Sequence, residues 1–184
     1  DSGTSSSNTW TTKASMLFAR SNFTTSVVNG KIYSIGVYDT VEGYDPSTNT
    51  WNTVTTLPTN RYSPTSSVVN NKIYVIGGET LGTRYATVEE YDPSTNIWST
   101  KSSLSSPRSD LCSCVVNDKI YVLGGESNTT VLNTVEQYDP LTNSWSLTTS
   151  MPTARTGHAC SVVNGKIYVI GGGSGGSTNI SNYS

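Results

Sequence analysis

Four arginines recur at one position of a repeating pattern. Arg20, Arg61, Arg108 and Arg155 are separated by 41, 47 and 47 residues. Guanidinium groups converging on an axis would hold an anion, because each carries a fixed fork of donors. A second use is internal. Glu42, Glu89 and Glu136 recur in the same units, so each Arg can pair with the Glu of its own unit or with backbone carbonyls. A site needed once seldom appears in every unit, so the structural use is the expectation. Glu89 and Glu90 are adjacent, and successive strand residues face opposite sides, so the two do not share one site.

Other reactive side chains are few. The chain has one histidine, His158, and three cysteines, Cys112, Cys114 and Cys160. One histidine leaves little for nucleophile–base or zinc chemistry, so no catalytic residue, cofactor or metal site is expected. His158 stands where the other units carry Phe23, Pro64 and Leu111, which points to a packed position. Cys112 and Cys114 lie two apart and face one side of a strand; Cys160 aligns with Ser113 and faces the other. Buried free thiols are expected, with a Cys112–Cys160 bridge only in a different register. The glycine-rich run 171–177 lacks the Lys-Ser/Thr of a phosphate loop and reads as a flexible connection. Asn22, Asn128, Asn179 and Asn182 each open a glycosylation sequon.

The elements that position these groups follow from the repeat. Trp10, Trp51, Trp98 and Trp145 share the 41, 47, 47 spacing, as do Val27-Val28, Val68-Val69, Val115-Val116 and Val162-Val163. Lys-Ile-Tyr recurs from Lys31, Lys72, Lys119 and Lys166. The first unit is six residues shorter between Gly36 and Val41 than the others are between Gly77 and Val88 or Gly124 and Val135. Each unit holds four short strand segments; in the second they fall at about 65–70, 72–77, 87–91 and 97–103. Asn-Gly, Asn-Asn and Asn-Asp pairs suit tight hairpins, and Asp92-Pro93-Ser94-Thr95-Asn96 suits a turn. Low charge (13% of residues) with many Ser, Thr and Asn fits an all-β protein.

The pattern resembles the kelch repeat. Arg155, Gly157-His158 and the run from Val162 to Gly172 carry the first half; Val135-Glu136-Gln137-Tyr138-Asp139-Pro140 with Thr142-Asn143-Ser144-Trp145 carries the second. The resemblance implies a β-propeller with one four-stranded blade per unit. Gly36-Val37 departs from it where the other units have a glycine pair. Blades are expected over 20–57, 61–104, 108–151 and 155–184, in a single domain over 1–184. Residues 1–16 read as an outer strand, and 180–183 as a third strand lacking its fourth. Together they would complete a composite fourth blade, or the N-terminal strand would complete the blade of a second molecule. The protein is then a closed monomer or a strand-exchanged homo-oligomer.

The connections between second and third strands, and the links between units, share one face and vary in length and composition. Varied loops on a rigid scaffold are where function usually sits. Tyr62, Glu79, Arg84, Tyr85, Glu126, Asn128, Arg155 and His158 are the candidate binding residues there. Recurring aromatics are expected in the interior, leaving Phe18, Phe23, Tyr38, Tyr62 and Tyr85 for stacking on a ligand. The leading reading is a noncatalytic binding or assembly module taking a protein or glycan partner on this face. The second is a secreted sugar epimerase or mutarotase, for which Glu79, Glu126 and His158 are the available groups. The third is an extracellular filament subunit joined by strand donation. Net charge of −2 with dispersed Lys and Arg excludes a nucleic-acid footprint, and no apolar run reaches a membrane span. The opening Asp1-Ser2-Gly3-Thr4 does not read as a signal peptide, yet the low-charge composition points to an extracellular setting.

Overall fold

The computed structural model describes residues 8–174. Every regular element in that range is a strand. Strands β1 (Thr24–Val28), β2 (Lys31–Gly36), β3 (Tyr38–Asp45) and β4 (Thr50–Thr56) form one antiparallel sheet in chain order. The second sheet uses β5 (Thr65–Val69) and β6 (Lys72–Ile76). A small hairpin, β7 (Glu79–Thr80) and β8 (Thr83–Arg84), then leads to β9 (Val88–Asp92) and β10 (Ile97–Lys101). The third contains β11 (Cys112–Val116), β12 (Lys119–Leu123), β13 (Val135–Asp139) and β14 (Ser144–Leu147). β15 (Ala159–Val163) and β16 (Lys166–Ile170) pair as the first two strands of a fourth unit. These are propeller blades, and the all-β propeller expected from the repeat is what the chain forms.

Turn chemistry sets the register. Asn29-Gly30, Asn70-Asn71, Asn117-Asp118 and Asn164-Gly165 all have positive φ at both positions, the twist that a two-residue hairpin needs. The outer turns end on Asn49, Asn96 and Asn143, again at positive φ. Each of these amides accepts the hydroxyl of the tyrosine five residues earlier: Tyr44, Tyr91 and Tyr138, at 2.8, 2.9 and 2.7 Å. Each tyrosine ring packs on the Trp of the next strand, with centroids 4.9–5.1 Å apart. In the three complete blades these recurring aromatics pack in the interior, as the sequence implied, whereas Trp10 and Tyr168 of the same series are exposed. Burial pushes the Tyr91 and Tyr138 hydroxyls up to about 12.

The cores lie between blades. Val28, Ile35 and Val41 of the first blade pack with Ile73, Val75 and Tyr91 of the second. Ile76 and Val88 pack with Leu111, Ile120 and Tyr138. Each blade buries a face only against its neighbour, so the unit must repeat. The short first loop bends β2 against β3, and the pairing shifts between Ser34 and Gly36.

Residues 8–16 carry no strand, and the Trp10 side chain is fully exposed. Ala14 in this stretch makes the contacts that the inter-blade links make elsewhere. Ala14 donates its N–H to Asn49 Oδ1 (3.0 Å) and accepts from Trp51 Nε1 (3.0 Å). Ser102 does the same for Asn143 and Trp145 at 2.9 and 2.7 Å. The rest of the expected outer strand, and the third strand expected over 180–183, lie outside the described residues. No helix in the described range is long and apolar enough to cross a membrane.

Candidate functional site

The recurring arginines turn inwards and lock each blade. Arg20 meets Glu42 at 2.7 Å, Arg108 meets Glu136 at 2.6 Å, and Arg61 pairs with Glu89, all with side chains almost fully buried. The same guanidinium groups donate to carbonyls of their blade: Arg20 to Gly36 (2.8 Å), Arg61 to Gly77 (2.9 Å), Arg108 to Gly124 (3.2 Å) and Arg155 to Gly171 (2.6 Å). Burial pulls the Arg61 and Arg108 guanidinium groups below their usual range, and the carboxylate partners oppose it. Arg155 thus makes the same carbonyl contact within its blade while staying half-buried. The Tyr85 ring lies 5.6 Å from the Arg61 guanidinium, and its carbonyl accepts from Arg108 N–H.

The loop face carries a depression of about 210 Å³ on the axis, lined by Asn22, Phe23, Ser63, Pro64, Asp110, Leu111, Gly157 and His158. Equivalent residues of all four units meet there. Asn22, Ser63, Asp110 and Gly157 each adopt positive φ. Their backbones join in sequence, Ser63 N–H to Asn22 O (2.8 Å), Asp110 N–H to Ser63 O (3.2 Å) and Gly157 N–H to Asp110 O (2.9 Å).

A polar network runs outward from this depression. Arg84 Nη2 reaches Glu126 of the next blade at 3.0 Å, and Arg84 Nε lies 3.6 Å from Glu79. Arg84 Nε also donates to Ser109 Oγ (3.1 Å), whose hydroxyl lies 3.3 Å from Glu79 and 3.2 Å from Asp110 carboxylate oxygens. Tyr62 joins through a two-way backbone pairing with Glu79 (2.7 and 2.8 Å), and its side chain stays exposed. The structure therefore brings Tyr62, Glu79, Arg84 and Glu126 together. Asn128 sits apart, exposed at the loop tip. Ser109 and Asp110 complete the network and were not anticipated. Their signal was available: they follow Arg108 in the link where the other units carry Ser21-Asn22, Tyr62-Ser63 and Thr156-Gly157.

His158 is buried, with both ring nitrogens sealed from solvent. Its ring lies over Gly124 as Leu111 lies over Gly77, the packed position expected. Burial and the Arg155 charge lower its pKa below 6.5. Glu79 and Glu126 meet on Arg84, whereas His158 lies in the wall of the axial depression and shares no hydrogen bond with either among the described residues. Phe18 and Tyr38, both half-exposed, pair on the first blade with centroids 5.7 Å apart.

The KLHDC2/KLHL20/DRC7 Kelch-repeats domain matches residues 37–172. Among solved structures, that of YjhT is similar with a TM-score of 0.77 at 19% sequence identity, over 83% of this chain and 58% of that one. At that identity the likeness speaks for the fold, and this chain spans a little over half of the structure it matches. No curated protein matches the sequence.

Proposed function

Since the chain belongs to the Kelch-repeats family of KLHDC2, KLHL20 and DRC7, itself a family of binding and scaffold modules, we propose that it is a noncatalytic module that binds a protein partner on its loop face. One observation carries this reading. Arg84 spans Glu79 of its own blade and Glu126 of the next, beside Asp110 at the rim of the axial depression. Two carboxylates meet the guanidinium and a third, Asp110, joins through Ser109, so this cluster keeps an acidic surplus. Complementary charge in a partner would supply orientation and on-rate, so the fitting ligand is a basic peptide segment. The buried His158 supports the noncatalytic part, because a sealed imidazole offers no proton to a ligand on that face.

The test uses fluorescent twelve-residue peptides rich in Lys and Arg, a matched set rich in Asp and Glu, and anisotropy as readout. Selective binding of the basic set is expected, weakened about tenfold by Glu79→Gln with Glu126→Gln. Binding of neither set, or equal binding by the variant, overturns the reading.

A further inference from the structure

Among the described residues, three interfaces between innermost strands use the same three positions. Between the first two blades, Ser66 Oγ sits between Thr24 Oγ1 and Ser26 Oγ at 2.7 and 2.8 Å. Between the second and third, Ser113 Oγ sits between Thr65 Oγ1 and Ser67 Oγ, both at 2.8 Å. The third interface repeats the arrangement with sulfur. Cys160 of β15 takes the place of Ser113 and Ser66, and Cys112 and Cys114 of β11 take those of Thr65 and Ser67. All three pack in one cluster with Leu123 and Met151. Cys160 does face the opposite side of its own blade from Cys112 and Cys114. Those two sides are the ones that adjacent blades press together, so the thiols meet without the change of register that a bridge was expected to need.

We propose that Cys112, Cys114 and Cys160 form a redox staple, in which Cys160 joins Cys112 or Cys114 by a disulfide that ties the fourth blade to the third. The oxidant is a low-molecular-weight disulfide, represented by oxidised glutathione. One protein thiolate attacks it, forming a mixed disulfide and releasing one glutathione thiol. The facing thiolate then displaces the second glutathione. The reagent's S–S bond is broken and the protein's is formed; two electrons and two protons leave with two molecules of reduced glutathione. Cys160 is partly exposed and admits the reagent, whereas Cys112 and Cys114 are buried. Hydrogen bonding to Cys112 pushes the Cys160 thiol up to about 12, with Cys114 opposing. The staple therefore forms slowly at neutral pH and faster at pH 8.5.

The full chain is incubated with oxidised glutathione, free thiols are alkylated, and tryptic peptides are weighed. The expected product is a dithiothreitol-sensitive species joining peptide 109–119 to peptide 156–166, with one alkylated cysteine and a melting temperature raised by several degrees. Cys160→Ser should abolish the cross-link. Substituting Cys112→Thr, Cys114→Ser and Cys160→Ser together rebuilds the hydroxyl triad of the second interface and should fold without responding to oxidant. Three alkylated thiols, a stable glutathione adduct, or a loop closed within peptide 109–119 would each overturn the proposal.

Discussion

Arg108 Nη2 donates to Glu136 Oε1 at 2.6 Å inside the third blade, and Ser105 fills the rest of the same carboxylate through its N–H (3.0 Å) and hydroxyl (2.8 Å). Glu136→Gln strands a buried guanidinium and should cost about 3–5 kcal/mol. Lys31 and Asp45 meet at 3.2 Å with the lysine half-exposed. Lys31→Met should cost under about 1 kcal/mol. Urea denaturation of both variants checks the contrast; equal losses would refute the blade-lock role.

Gly78 and Val37 occupy the same repeat position, at φ of 95° and 75°. A Cβ on Gly78 would meet the Tyr62 carbonyl at 2.8 Å. Gly78→Val should destabilise by about 3–5 kcal/mol, combining overpacking with a left-handed β-branched residue. Val37→Gly relieves the same backbone strain but gives up a buried side chain, so it should change stability by no more than about 1 kcal/mol. The two denaturation midpoints decide the point.

Asn96 does two things, holding φ at 57° and accepting the Tyr91 hydroxyl. Asn96→Gly keeps the first and loses the second, at about 1–2 kcal/mol. Asn96→Ala loses both and should cost about 1 kcal/mol more. Identical losses would mean that the hydroxyl contact alone matters.

His158 is held neutral when folded, with its pKa lowered by burial and by Arg155. As pH falls from 7, the unfolded chain takes up the proton first, near pH 6.5. Stability therefore drops from about pH 6.5 down to the lower folded pKa. His158→Leu, which copies Leu111, should flatten that part of the profile. Urea midpoints between pH 7.5 and 5 measure it; an unchanged slope places the acid sensitivity elsewhere.

The sequence displayed what each unit does alone. Asn-Gly and Asp-Pro-Ser-Thr-Asn chemistry located the turns, and the second blade begins and ends within about two residues of expectation. Arg–Glu locks were legible because both partners belong to one unit. What crosses between units was harder to see. The Arg84–Glu126 pair and the sulfur triad depend on which faces the blades press together, and a linear repeat does not state that. The β7–β8 hairpin was missed because two-residue strands carry no periodicity; Leu81-Gly82, both at positive φ, was its one cue. The contact of the Tyr85 ring with Arg61 was equally hidden, because nothing in its spacing reveals the arginine beneath it.

The axial bonds joining Asn22, Ser63, Asp110 and Gly157 have a genetic consequence. Ser63 and Asp110 each offer one amide to the preceding unit and one carbonyl to the next, while Asn22 offers its carbonyl and Gly157 its amide, all through residues whose side chains play no part in the bond. A gene duplication that inserts a whole unit therefore adds a link with both ends already matched, provided its residue there tolerates a positive φ. Blade number can drift while the rim changes residue by residue, so new partners and new ring sizes become accessible along separate mutational routes.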